Sequence, residues 1–256
     1  MHPALALAFG AASYGVFFVT FLYMIGFVGN VAVPKTIDSG AAGPLGTALL
    51  VDTALLLLFG VQHSVMARPG FKKWWTRFVP QPIERSVYVL ASSACLIALF
   101  AFWQPIATPV WDVASPVART ALQALYFGGF GLVLFSTLLI DHFDLFGLRQ
   151  VFLHFRRRDY TEKRFVMPVL YRFIRHPLYV GWFITFWAAP TMSAGHFLFA
   201  LVMTAYILVA IPMEERDLSE LHGESYRRWR DATPAFVPRF GSRPTTQPIP
   251  PSAEPV

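Results

Sequence analysis

Apolar residues in this chain fall into long runs, separated by short stretches that carry nearly all of the charge. Four runs, at 4–28, 46–66, 83–103 and 119–140, each have the roughly 20 residues needed to cross a membrane core. Two shorter runs, 178–189 and 196–212, are joined by Thr191-Met192-Ser193-Ala194-Gly195. They read as a tight, Pro-interrupted hairpin or as helices sheltered by their neighbours. The predicted fold is therefore all-α: a polytopic membrane helix bundle of about five to six spans, closed by a C-terminal helical hairpin. Residues 1–240 read as one membrane domain without internal repeats, and the Pro-rich stretch 241–256 as a disordered tail. Between them, the loop at 141–176 holds Phe143, Leu145, Phe146, Val151 and Phe152, too apolar for a solvated linker. An interfacial helix on the floor of the bundle is expected there, with Pro168 and Pro177 as its punctuation.

Composition agrees with a membrane protein. The chain is 55% hydrophobic and 14% charged, against about 25% charged in a soluble domain. Of its 21 basic residues, 19 lie in three places: 67–85, 141–176 and the tail after 213. Only Lys35 and Arg119 lie elsewhere. The positive-inside rule puts those three regions, and both termini, in the cytoplasm. The net charge of +6 then reads as orientation and contact with anionic membrane lipid. Nucleic-acid binding is excluded, because the basic residues flank spans and line no single recognition face. The first run lacks a preceding positive residue and is too long for a signal peptide. Cys95 is the single cysteine, which excludes an internal disulfide and a cysteine metal cluster; no metal is expected.

The chemistry sits at the feet of the hairpin. Arg175-His176-Pro177 precedes it and Glu214-Glu215 follows it. Charged groups at membrane depth are costly unless they hold something. Pro177 is suited to the first position of a helix, whose free N–H groups with Arg175 and His176 make a carboxylate site. The plainer reading is that both basic residues anchor at headgroups. Tyr179 and Gly181 fit an aromatic wall beside a close backbone approach, or ordinary packing. Glu214 and Glu215 can hold hydroxyls or an ammonium group, or pair with Arg216 or Arg175. Two histidines at the same depth, His63 and His142, titrate near neutral pH and are candidate bases. Asp141 and Asp144 flank the second. Asp52 lies nearer the outer end of its run and reads as structural.

Taken together, Arg175-His176-Pro177-Leu178-Tyr179-Val180-Gly181, Glu214-Glu215, Leu218, Gly223, Tyr226, Pro234 and Pro238 resemble the C-terminal half of the isoprenylcysteine carboxyl methyltransferase superfamily. Trp229 stands where many members carry a second Tyr. Further motifs resemble the bacterial methanethiol S-methyltransferase branch: His63-Ser64 with Ala67-Arg68 and Phe71-Lys72, Glu84-Arg85-Ser86 with Tyr88-Val89-Leu90, His142 to Gln150, and Phe186 to Met192.

That resemblance implies an integral membrane enzyme using S-adenosyl-L-methionine, with methanethiol as a small thiol substrate and dimethyl sulfide as product, in a bacterial inner membrane. The catalytic half is then about 141–240, and the hairpin forms the cofactor site. It implies that Arg175, His176 and Pro177 hold the methionine carboxylate. Glu214 or Glu215 holds the ribose or ammonium, and Tyr179 or Tyr226 packs on adenine. His63 or His142 serves as base, with Asp141 or Asp144 as orienter. Two other readings share the C-terminal half: a methyltransferase with a lipid or prenyl-cysteine acceptor, and a nicotinamide-dependent sterol-type reductase. Another, a non-enzymatic membrane protein, rests on the His63-Ser64 region, which resembles a denitrification-associated family. Nothing in the sequence specifies oligomeric state.

Overall fold

A computed structural model describes residues 1–161 and 169–238. Pro168 and the tail at 241–256 lie outside the described residues. Proline and glycine set most of the boundaries. Helix α1 (Pro3–Gly29) opens on a proline, whose missing N–H is one that a helix start does not use. It ends at Asn30, whose left-handed backbone returns its N–H to the Gly26 carbonyl. Helix α2 (Leu45–Ala67) stops at Arg68, which is extended because Pro69 follows, and Pro69 then opens the short α3 (Pro69–Trp75). After α4 (Glu84–Phe102) and a short strand, β1 (Pro109–Asp112), Ser115 caps α5 (Pro116–Ile140) by accepting the Ala118 N–H.

The loop after α5 contains α6 (His142–Leu145) and α7 (Leu148–Phe155). Gly147 joins them at φ +85°, and a Cβ there would meet Ser86 at 2.8 Å. Helix α7 packs against α1 and presents Phe152 and Phe155 outward. That is the interfacial helix expected from the sequence. It seats closely, since a Cβ on Gly10 would meet Val151 at 2.6 Å.

Among the described residues, five helices are long and apolar enough to cross a membrane: α1, α2, α4 with the turn before it, α5, and the first part of α9 (Ala194–Ala232). Their outer faces carry lipid-suited side chains such as Val19, Leu50, Val61 and Val209, all well exposed. The protein is an integral membrane protein. The fifth run, 178–189, differs from a spanning helix. Helix α8 (Pro177–Trp187) has 11 residues, about 16 Å of helix. Its path is completed by extended chain and strand β2 (Thr191–Ser193), which pairs antiparallel with β1.

Non-helical backbone at this depth must find partners within the protein, and it does. The Val113 N–H donates to the Pro190 carbonyl and the Trp111 indole to that of Ala189. The N–H groups of Ala194 and Gly195 donate to the carbonyls of Thr108 and Ile106. Helix α8 lies along α5, and the two backbones approach closely at Gly129 and Gly181. A Cβ on Gly129 would meet the Gly181 carbonyl oxygen at 2.9 Å, and one on Gly181 would meet that of Gly129 at the same distance. The main core is aromatic: Phe27, Phe100, Trp103, Phe186 and Phe199 pack edge-on or tilted where α1, α4, α8 and α9 meet.

Candidate active site

The Arg175-His176-Pro177 turn and the glutamates meet, but they meet each other. Glu215 Oε1 accepts from Arg175 Nε and from His176 Nε2, each at 2.8 Å. A second arm of Arg175 donates to the carbonyls of Arg230 and Thr233. The backbone N–H groups of Arg175 and His176 donate to the carbonyls of Pro234 and Ala235 at 2.9 and 3.1 Å. Phe236 lies over His176 and Phe183. The chain after α9 is thus strapped across the start of α8.

Gly223, at φ 60° and ψ −137°, breaks α9 in a backbone region that only glycine occupies readily, and the rest of the helix turns inward. There Tyr226 is buried against Trp229, whose indole donates to the Tyr171 carbonyl. These placements revise three sequence expectations. Arg175 and Glu215 form the ion pair that was the alternative reading, because a guanidinium, an imidazole and a carboxylate at this depth satisfy one another. Tyr226 is buried beside Trp229, away from the surface. Gly181 lies close to α5 backbone, so its missing side chain serves helix packing.

Glu214 faces the other way. Its Oε2 accepts the Tyr179 hydroxyl at 2.7 Å. Tyr179 is within electrostatic reach of Tyr206 on α9 and Tyr88 on α4. Tyr206 is tied to α2, where Ser64 donates to its hydroxyl at 3.4 Å and its ring lies across Gly60. A Cβ at Gly60 would meet that ring at 3.1 Å. One turn below Ser64, Arg68 pairs with Asp217 at 2.8 Å, which fixes the foot of α2 to that of α9. A half-enclosed polar wall results, built from α2, α4, α8 and α9.

His63 belongs to this wall. The Tyr88 hydroxyl oxygen is 2.9 Å from its Nε2 and 3.0 Å from its Nδ1, and Ser92 Oγ is 3.2 Å from Nδ1. Ser92 donates to the Tyr88 carbonyl at 3.0 Å. The Tyr88 oxygen stands nearly equidistant from the two ring nitrogens, so it lies on the lone pair of neither.

His142 lies elsewhere, and its two nitrogens have separate partners. Thr137 Oγ1 donates to the Leu134 carbonyl, so it accepts from His142 Nδ1 at 2.9 Å, and Nε2 takes the Tyr14 hydroxyl at 2.8 Å. The ring is buried, with Phe143 and Phe146 packed on it, and burial holds its pKa below the usual range. Both His142 nitrogens are taken by hydroxyls, so neither Asp141 nor Asp144 orients it. Asp141 caps α6 by accepting the Asp144 N–H, and Asp144 pairs with Arg149 at 3.0 Å and accepts from Gln150 and Tyr160.

Of the residues read from sequence, the fold brings together His63, Tyr179 and Glu214, with Arg175, His176, Pro177 and Glu215 as the frame beneath them. It sets His142, Asp141 and Asp144 apart, on the α1–α7 side. The reading missed Tyr88, Tyr206 and the Arg68–Asp217 pair as site residues. Their signal was faint: Tyr88 and Ser92 share one face of α4, and Ser64 and Arg68 one face of α2, but only the tertiary contact makes either pair chemical. The donor set fits a cation that also carries a carboxylate. Glu214 and the faces of Tyr88, Tyr179 and Tyr206 suit positive charge, and the start of α8, which no side chain caps, suits an anion. Among the described residues, no group of three or more His, Cys, Asp or Glu side chains is placed to hold a metal ion.

Residues 137–220 match the isoprenylcysteine carboxyl methyltransferase (ICMT) family. Over nearly its whole length the chain is similar to three bacterial proteins. It is 52% identical to "Methanethiol S-methyltransferase" of Mycobacterium tuberculosis, over 93% of this chain and 98% of that one. It is 48% identical to the protein of that name from Crocosphaera subtropica, over 93% of each chain. It is 50% identical to "Methanethiol S-methyltransferase 1" of Bradyrhizobium diazoefficiens, over 91% of this chain and 82% of that one. No solved structure matches.

Proposed function

The chain belongs to the methanethiol S-methyltransferase family, and from that premise we propose that it moves a methyl group from S-adenosyl-L-methionine to methanethiol, giving dimethyl sulfide. Similarity that runs through α2 and α4 as well as the hairpin carries the reading, because those two helices supply the wall facing Glu214. When bound, S-adenosyl-L-methionine supplies a methyl group on a cationic sulfur that a thiolate displaces in line.

The chain's own residues prepare for that chemistry in three ways. Glu214, held by Tyr179, takes the ammonium or ribose hydroxyls, and His176 with the opening turn of α8 takes the carboxylate. Arg175 and Glu215 act beneath them by fixing the strap to α8, so the turn is preorganised before any ligand arrives. The tyrosine wall excludes water, which raises the energy of opposite charges that vanish as they react. His63 is the base of this site, since it lines the wall while His142 does not. Phe59, Tyr88 and Tyr206 crowd the space around His63, which favours a small acceptor over a prenyl or acyl chain. The basic helix ends, and with them the site and both termini, face the cytoplasm of a bacterial inner membrane.

Purified protein in lipid nanodiscs, given methanethiol and S-adenosyl-L-methionine, should release dimethyl sulfide into the headspace. Cofactor binding without that product would assign a different acceptor.

A further inference from the structure

We propose that the groove between α1 and α4 binds one anionic phospholipid, with an acyl chain in the groove and the headgroup phosphate on Lys35. The inference is independent of the methyl-transfer reading. The groove has a volume of about 580 Å³, within the roughly 300–1,000 Å³ of ligand sites. Gly15, Val19 and Thr20 of α1 face Ile97 and Phe100 of α4 across it. It is open at Gly15, where a Cβ would meet nothing within 4 Å. The hydroxyls in its wall are already spent. That of Thr20 donates to the Val16 carbonyl at 2.7 Å, and that of Tyr23 to the Lys35 carbonyl at 3.1 Å. What remains toward a ligand is apolar, with the Tyr23 and Phe100 rings packed at 5.1 Å between centroids.

Depth and charge identify the occupant. The groove starts at Gly15, midway along α1, and runs to Tyr23, about 12 Å of helix. One leaflet of a membrane core is about 15 Å deep. The groove therefore covers the depth of one leaflet's chains, on the side away from the basic helix feet. Lys35 lines its outer end, where Nζ donates to the Ala101 carbonyl at 2.6 Å. An ammonium has three N–H groups, so two are left for a phosphate. Lys35 and Arg119 are the two basic residues outside the three basic regions, and Arg119 is paired with Asp112 at 2.7 Å. Two carboxylates lie behind Lys35. Asp38 is held by Asn30 and Ser193, and Asp52, within electrostatic reach, is fully buried and accepts the Gln104 N–H. Lys35 is the charged group in the groove wall. A zwitterionic headgroup brings its own ammonium to the phosphate, whereas an anionic one leaves the phosphate to Lys35.

The test uses the full chain in phosphatidylcholine nanodiscs that hold a trace of a photoactivatable lipid. Two probes carry the same diazirine-bearing acyl chain, one on phosphatidylglycerol and one on phosphatidylcholine. After irradiation, labelled peptides are mapped by mass spectrometry. Label should concentrate on residues 15–23 of α1 and 97–101 of α4. The phosphatidylglycerol probe should label them about 5-fold more than the phosphatidylcholine probe, the effect of one lysine at a membrane surface. Lys35→Gln should bring the two probes level. Gly15→Leu places its side chain in open space and should abolish labelling of the groove by both. Label spread evenly onto the exposed face of α2, or unchanged in Gly15→Leu, overturns the site. Equal labelling of the parent by the two probes, or a preference that survives Lys35→Gln, overturns the anionic occupant. If Gly15→Leu does not insert, Ile97→Trp fills the same groove from α4, and unchanged labelling in that variant overturns the site equally.

Discussion

Two histidines in this protein keep similar neighbours in different company. His63 and His142 each have Nδ1 near a hydroxyl that is back-bonded to its own helix, and each has a tyrosine hydroxyl within hydrogen-bond distance. Around His63 lie Ser64, Tyr206 and the Arg68–Asp217 pair, leading to Glu214. Around His142 lie Tyr14, Phe143 and Phe146, and the contact pins α1 to the loop after α5. A tyrosine beside an imidazole is therefore neutral as to function by itself. It is a candidate base where charged and phenolic groups gather, and a structural pin where phenylalanines close around it.

The sharpest way to break this contrast is to remove the frame that only the His63 side depends on. Glu215→Ala leaves Arg175 and His176 without their shared carboxylate, so the strap loosens and cofactor binding should be lost while the protein stays inserted. Calorimetry that finds normal cofactor binding would remove the clamp from the site. Next in size, His63→Ala should lower turnover about 100-fold, and His142→Ala should leave turnover within about 3-fold, the range expected of a residue outside the chemistry. Equal losses in headspace assays would erase the distinction. Gly181→Ala should act on both activity and stability, because its methyl would enter the α5 backbone. A cost of about 1–3 kcal/mol is expected for such overpacking, read as a lower unfolding temperature in nanodiscs.

The smallest effect concerns the pin. Burial lowers the His142 pKa from its usual 6.5. A group whose folded pKa is depressed binds its proton more readily unfolded, so its stabilising share is present above 6.5 and is lost as pH falls towards the folded value. The parent's unfolding temperature should therefore drop as pH is taken below 6.5, by a few degrees. His142→Asn, starting lower, should show a shallower slope. Identical slopes would show that the pin does not contribute.

Sequence alone determined the class of this protein, its four longest apolar runs and the position of its charged feet. These are local quantities: a run of about 20 apolar residues crosses a membrane whatever its neighbours are, and proline or glycine ends a helix through its own backbone. Arg175, His176, Glu214, Glu215 and both histidines were also legible as candidates, because charge and titratable groups at membrane depth are rare and costly. Tertiary structure decided which of them face a ligand. Glu214 and Glu215 are adjacent in sequence yet point to opposite partners, one to Tyr179 and one to Arg175 and His176, because successive side chains on α9 diverge by about 100°. His63 and His142 look alike in the chain, and only their packing separates a candidate base from a pin. The shortness of α8 was legible as a short apolar run, but its extended continuation was hidden, since it is held by strand β1, more than 60 residues earlier. Hydrogen bonds between distant segments leave no periodic trace in a sequence, and this site is built from them.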